Sequence, residues 1–269
     1  MRANDLTEPD ERHSPAVRAV DRGALIQHLN TYLDVGRFKD ASFNGLQVEG
    51  QPLVSRIVVG VTANLALIEA AVAVGAQMVI AHHGLFWKGD DPRVVGFQRA
   101  RLASVLAAGL NVVGYHLPLD VHPELGNNVQ LARQLQLVAT FTVGEYGLVS
   151  VGHPSDGKIL SLSALMDRVA RQFGPQVALH AECGRPIRTV AWCTGAGGSL
   201  LREAIIAGAD AYITGEVAEH HVHLARESGI ALIAAGHHAT ERGGVMALAD
   251  HLTCQFGIEA EFVEVPSPL

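Results

Sequence analysis

Histidine pairs stand where apolar runs end in this chain. VIAHHGLFWKG (79–89) closes one run on His82 and His83, and GHHATERGG (236–244) closes another on His237 and His238, with Glu241 following. YHLPLDVH (115–122) places His116 and Asp120 after a third run, and ITGE (213–216) places Glu216 after a fourth. Imidazole with carboxylate suits Zn, Mn, Fe or Ni, and the absence of thiolate among these residues disfavours a structural zinc. A carboxylate can also bridge two metals about 3.5–4 Å apart, the arrangement used in hydrolytic displacement. The chain carries 14 histidines, many in pairs, which fits metal chemistry. Each piece has a plainer alternative. A histidine pair at a strand end can simply be half-buried and hydrogen-bonded. Asp120 can close a turn after Pro118. Glu241 can be a first-turn helix acid behind a Thr240 cap.

Such side chains act together only if the chain brings the run ends to one place. RIVVGVT, AQMVIAHH and the run beginning LNVVGYH read as β-strands. Between them NLALIEAAVAVG, with Asn64 as N-cap and Gly75 as stop, and ARLASVLAAG read as helices. Apolar strands alternating with helices predict mostly parallel sheets covered by helices, a fold of the α/β class. The same plan recurs in TVAWCTG, SLLREAIIAG, ADAYITGE, HHVHLARESG and IALIAAGHH. Aligning 70–83 with 203–216 superposes Gly75 on Gly208 and His83 on Glu216, and aligning 109–116 with 229–236 brings His116 one residue short of His237. We read two interlinked α/β lobes related by an internal βαβαβ duplication. Copy one covers about 56–122, a connecting segment about 124–187, and copy two about 188–265. Ligands in open α/β sheets bind beyond the carboxyl ends of the strands, which is where these histidines and acids fall. Residues 1–20 read as a flexible polar tail and 21–269 as a single unit; a helix follows the tail, with Leu25, Leu29, Tyr32 and Leu33 on one stripe.

Composition narrows the class. Hydrophobic residues make up 48% and charged residues 17% of the 269, enough for a large core and too apolar for a disordered chain. A net charge of -7 without a basic stripe argues against a nucleic-acid surface. Three cysteines outside any C-x-x-C pair fit a reducing compartment. With no apolar leader and no run long enough to span a membrane, the expected location is cytoplasmic. HHVH (220–223) reads as a solvated helix face. CTGAGGS (193–199) reads equally as an anion-holding turn or as a glycine turn permitting close strand–helix packing. Lys88 and Arg242 are the cations near the histidine motifs; each can hold phosphate, Lys88 can equally be a surface charge, and Arg242 can pair with a carboxylate.

SFNGLQVEG, HHGLFWKG, YHLPLDVHPELGNN, AWCTGAGG, TGEVAEH and AAGHHATERGG together resemble the Nif-three-like dinuclear metal-binding family, from about residue 24 onward. Many bacterial members carry the name GTP cyclohydrolase I type 2 homologue. The resemblance implies a ring-shaped homohexamer of two-lobed subunits with two divalent metal ions (Zn, Fe, Mn or Ni) per subunit. Its metal ligands fall on His82, His83, Asp120, His237 and Glu241. His116 and His238 lie outside the implied ligand set and are candidates either for supporting the ligands from behind or for catalytic acid–base work. The expected function is a metal-dependent hydrolase for a small anionic substrate, such as a nucleotide opened at its ring, although no N-K-x-D guanine reader is present. The competing expectation is a non-catalytic metal-handling or scaffold protein. On the hydrolase reading, His82 and His83 each take a different metal, with Asp120 and Glu241 bridging or sharing them.

Overall fold

The computed structural model describes residues 18–269, so the tail expected over 1–20 lies outside the described residues up to residue 17. The first half of the chain forms β1 (Val20–Asp21), α1 (Arg22–Tyr32), β2 (Gly45–Val48), β3 (Leu53–Val54), β4 (Arg56–Thr62), α2 (Leu65–Ala73), β5 (Met78–His83), α3 (Gly96–Ala108), β6 (Asn111–Gly114) and α4 (Leu117–Val121). The second half forms α5 (Asn127–Gln134), β7 (Leu137–Val143), β8 (Val149–Pro154), α6 (Leu162–Phe173), β9 (Ala178–Ala181), β10 (Val190–Cys193), α7 (Leu201–Ile206), β11 (Ala211–Thr214), α8 (Glu219–Ser228), β12 (Ala231–Ala234), α9 (His237–Phe256) and β13 (Glu259–Phe262).

Two large sheets organise most of these elements, and β1 and β3 pair with each other apart from them. The first runs β13-β4-β5-β6-β2 and the second β7-β8-β10-β11-β12-β9. The trios β4-β5-β6 and β10-β11-β12 are parallel, and antiparallel strands flank them: β2 on the first sheet, β8 and β9 on the second. Each trio is buried on both faces, which explains its unbroken apolar runs. Along β4 and β5, Ile57, Val59, Met78 and Ile80 enter one core while Val58, Val79 and Ala81 enter another. In the second sheet Val190, Trp192 and Ile213 face one core, and Ala191, Tyr212 and Leu232 the other. The segment 124–187 supplies α5, α6 and the flanking strands β7, β8 and β9 of the second sheet.

Local signals explain most boundaries. Asn64 caps α2 by accepting from Leu67 N–H at 2.9 Å, and Gly75 follows its end with φ +68°. Leu25, Leu29 and Leu33 of the α1 stripe are fully buried, whereas Tyr32 is only half-buried. Two expected boundaries move. The third apolar run stops as a strand at Gly114, and Pro118 in the first turn of α4 sets a helical φ, so Asp120 sits on a helix. The last long helix begins at His237 instead of behind Thr240, because Gly236 turns the chain with φ +96° immediately after β12. His237 and Glu241 therefore stand four residues apart on one face of α9.

Helix α9 ties the sheets together. Its first turn follows β12 of the second sheet, while Val245, Leu248, Ala249 and Leu252 fill the core under the first. The chain then returns to the first sheet, where β13 pairs in parallel with β4 (Glu259↔Arg56).

Candidate metal centre

β5 delivers two imidazoles to one point by outrunning its neighbour. Its last partner on β6 is Gly114, opposite Ala81, so His82 and His83 project beyond the edge of that strand. The two rings lie 4.6 Å apart, centroid to centroid. Gly84 then turns the chain beside Gln47, whose side chain lies where a Cβ would stand, and Gln47 Oε1 accepts from Leu85 N–H at 2.7 Å. Asp120 arrives from α4, and His237 and Glu241 from α9.

These five residues form two triads that share Glu241. His82, Asp120 and Glu241 bring ligand atoms within 4.8 Å of one another, and so do His83, His237 and Glu241; either set could hold a metal ion. Glu241 turns one oxygen to each. Its Oε1 lies 3.4 Å from His82 Nε2, and its Oε2 lies 3.3 Å from His83 Nε2 and 3.1 Å from His237 Nε2. Asp120 Oδ1 is 3.4 Å from His82 Nε2. His82 Nε2 and Glu241 Oε2 are buried with no hydrogen-bond partner among the described residues. Orphaned buried polar atoms are costly, and cations bound at the two triads would satisfy them. The donor set therefore fits a metal of the kind His/carboxylate sites accept.

Each ring is aimed from behind. His82 Nδ1–H donates to the Tyr115 carbonyl at 2.9 Å, His83 Nδ1 is hydrogen-bonded to Thr62 Oγ1 at 3.1 Å, and His237 Nδ1 lies 3.3 Å from Glu216 Oε1. Asp120 accepts from Asn127 Nδ2 at 2.9 Å and from Thr194 Oγ1 at 3.4 Å. Such outer contacts fix ligand orientation and raise ligand basicity. Tyr115, Thr62, Asn127 and Thr194 escape sequence reasoning because no spacing rule connects them to the histidines. Glu216, at the end of β11, is the exception, since its alignment with His83 marks it.

The remaining predicted residues fall in different places. His116 joins the cluster, its ring 5.1 Å from His82 and 5.7 Å from His83, with one ring nitrogen within 4.8 Å of theirs. His238 does not; its Nε2 is hydrogen-bonded to Glu264 at 2.5 Å, and Arg242 pairs with the same carboxylate at 3.1 Å. Lys88 Nζ donates to the Asp40 carbonyl at 2.6 Å. The HHVH face is solvated only in part. His220 and His223 are exposed, but His221 is buried and its Nδ1 accepts from Ala218 N–H at 3.0 Å, capping α8. The glycine turn serves close packing: Cβ atoms at Gly195, Gly197 and Gly198 would run into Glu241, Thr214 and His221 respectively.

Charge divides the adjacent histidines. Burial alone would lower the pKa of His82, but the Asp120 and Glu241 carboxylates raise it to about 9. Burial, then the neighbouring His82 charge, lowers His83 to about 3. Burial opposes ionisation of Glu241, yet His82, His237 and His83 hold it well below the usual carboxylate range. Burial, with the Glu241 charge adding, raises Asp120. A metal ligand must be a neutral imidazole. Without metal, His82 stays protonated up to about pH 9, so an entering cation expels that proton, and uptake strengthens as pH rises toward 9. Titrating metal-free protein at pH 7 in buffers of different ionisation enthalpy should show net proton release, from His82 with His237, also raised by its carboxylate neighbours, adding to it. Heat that is independent of the buffer would contradict this charge pattern.

Residues 20–268 match the family model described as Duf34/NIF3 (NGG1p interacting factor 3). The chain belongs to this family. A relative from Pseudomonas aeruginosa, named GTP cyclohydrolase 1 type 2 homolog, is 48% identical over 256 residues, covering 93% of this chain and 99% of its own. The solved structure of protein ybgI, whose function is given as unknown, superposes with a TM-score of 0.89 at 42% identity, covering 93% of this chain and 100% of its own. TTHA1606 of Thermus thermophilus gives 0.83 at 36% identity, with the same coverage. Among the described residues no helix is long and apolar enough to cross a membrane.

Proposed function

We propose that this NIF3-family chain is a metal-dependent hydrolase with a dinuclear centre. One divalent ion is held by His82, Asp120 and Glu241, and the other by His83, His237 and Glu241. The observation that carries this reading is the Glu241 carboxylate, buried and split between two sets of imidazoles. A bound metal pair supplies an activated water and neutralises charge on the attacking and leaving atoms. The protein's own contribution is orientation. The Tyr115 carbonyl, Thr62 and Glu216 hold the rings, Asn127 and Thr194 hold Asp120, and His116 stands beside them as the proton carrier. The name shared by relatives points to a nucleotide ring as substrate: water adds to a ring carbon, the C–N bond breaks, and the nitrogen takes a proton.

The test combines metal analysis with a screen of GTP, phosphoesters, cyclic amides and peptides, using wild type and Asp120→Asn. Metal-dependent turnover that falls in the variant supports the hydrolase. Metal that is lost in the variant, with no turnover to lose, overturns it and leaves a metal-handling protein. The division of ligands has its own check. His83→Ala should release about half of the bound metal and His82→Ala the other half, because each imidazole faces a different side of Glu241. Equal depletion of both positions by His82→Ala would refute the split. The assembly proposed is a ring-shaped homohexamer, for which light scattering should return a hexamer mass.

A further inference from the structure

We infer that Asp40 is a positioning residue of this centre: it holds His116 as the tautomer whose Nε2 lone pair carries the reaction's proton. This rests on the hydrolase reading above. Asp40 lies in the loop before β2, 76 residues from His116 in sequence, and is only 4% exposed. Its carboxylate is clamped by four donors. Oδ1 accepts from Ser42 N–H at 3.1 Å and His116 Nδ1–H at 2.9 Å; Oδ2 accepts from Asn44 Nδ2 at 3.0 Å and Leu117 N–H at 2.9 Å. Asn44 Oδ1 in turn accepts from His116 N–H at 2.8 Å, so the same loop fixes both the backbone and the ring.

Comparison with the other three imidazoles sets His116 apart. His82 and His83 lean on a carbonyl and a hydroxyl, and His237 on a half-exposed glutamate, while their Nε2 atoms face Asp120 or Glu241. His116 leans on a buried carboxylate, and its Nε2 has no hydrogen-bond partner among the described residues. An ionised carboxylate only accepts, so Nδ1 must carry the proton of the neutral ring and Nε2 must carry the lone pair. Trp87 packs edge-on against the ring at 4.9 Å and limits its rotation. As the water oxygen bonds to the electrophilic carbon, its proton passes to Nε2. The same proton then passes to the nitrogen whose bond to that carbon breaks, and His116 ends as it began. Asp40 stabilises the transient imidazolium without itself taking the proton, as carboxylates do behind catalytic histidines.

Asp40→Asn tests this, because a carboxamide of the same size can donate to Nδ1 and move the ring proton to Nε2. Zinc-loaded wild type should show His116 protonated at Nδ1 in long-range nitrogen–proton spectra, with the signals assigned by their loss in His116→Gln. Asp40→Asn should move that proton, keep its zinc, and lower kcat about 100-fold or more with KM unchanged. Wild-type His116 protonated at Nε2, or an Asp40→Asn protein with unaltered tautomer and kcat, overturns the assignment. Zinc lost from His116→Gln would make His116 a metal ligand and overturn it as well. If Asp40→Asn does not fold, His116→Gln decides the proton-carrier role: zinc retained with kcat lost supports it, and kcat retained refutes it. If wild type turns over nothing, the hydrolase reading fails together with the proton-transfer step, while the spectra still report whether Asp40 sets the ring.

Discussion

Glu241→Gln is expected to strip the protein of metal at both positions, not at one. The carboxylate is 3% exposed and turns one oxygen to His82 and the other to His83 and His237. A carboxamide keeps the shape but removes the only anion common to both triads. Loss of a contact behind a metal ligand weakens affinity about 10- to 100-fold, and loss of a shared charged ligand should exceed that at each position. Elemental analysis after dialysis should find the variant nearly metal-free, whereas His83→Ala keeps about half. A Glu241→Gln protein that retained half of the wild-type metal would show that the residue serves a single ion. Folding must be checked alongside, because removing one partner of a buried charge cluster costs about 3–5 kcal/mol.

Gly195→Ala should damage the same centre from outside it. Gly195 has φ +61°, and a Cβ there would overlap Glu241 Oε1 and stand 3.1 Å from His237 Nε2. The left-handed conformation itself costs an alanine about 1–2 kcal/mol, which a folded protein of this size tolerates. The clash is the larger effect. The glutamate must swing away, and it is the residue on which both triads depend. Gly75→Ala separates the two contributions: φ is similar at +68°, but nothing lies within 4 Å of the added atom. Gly75→Ala should lose a little thermal stability and keep its metal, while Gly195→Ala loses most of its metal. Equal metal content in the two variants would mean that the loop can retreat and that Gly195 is needed only for its backbone angle.

The sequence showed the chemistry better than the geometry that delivers it. Apolar runs buried on both faces by helices declared the parallel trios, and the residues ending those runs meet, apart from His238, which pairs with Glu264. Placement of Asp120 and Glu241 was harder. Both were read against strand ends or late caps, whereas Pro118 and Gly236 start helices early and set each acid four residues beyond a histidine. The contacts that aim the rings were hidden for a different reason. Thr62, Tyr115 and Asp40 reach the rings from segments 21 to 76 residues away, and Asn127 reaches Asp120 from the next helix; such contacts leave no periodic trace. His221 shows the opposite error, since a histidine-rich helix face looked solvated until one ring turned inward to cap its own helix.

Helix α9 and strand β13 give this fold a timetable. His82, His83 and Asp120 leave the ribosome long before His237 and Glu241, and the first sheet cannot complete its β4 edge until Glu259–Phe262 have been synthesised. A nascent chain that ends short of α9 therefore carries His82, His83 and Asp120 without the acid that lies between them. Only when the last helix crosses from the second sheet into the first core does Glu241 enter and close it. The acid that the two triads share is thus carried by the same helix that returns the chain to close the first sheet.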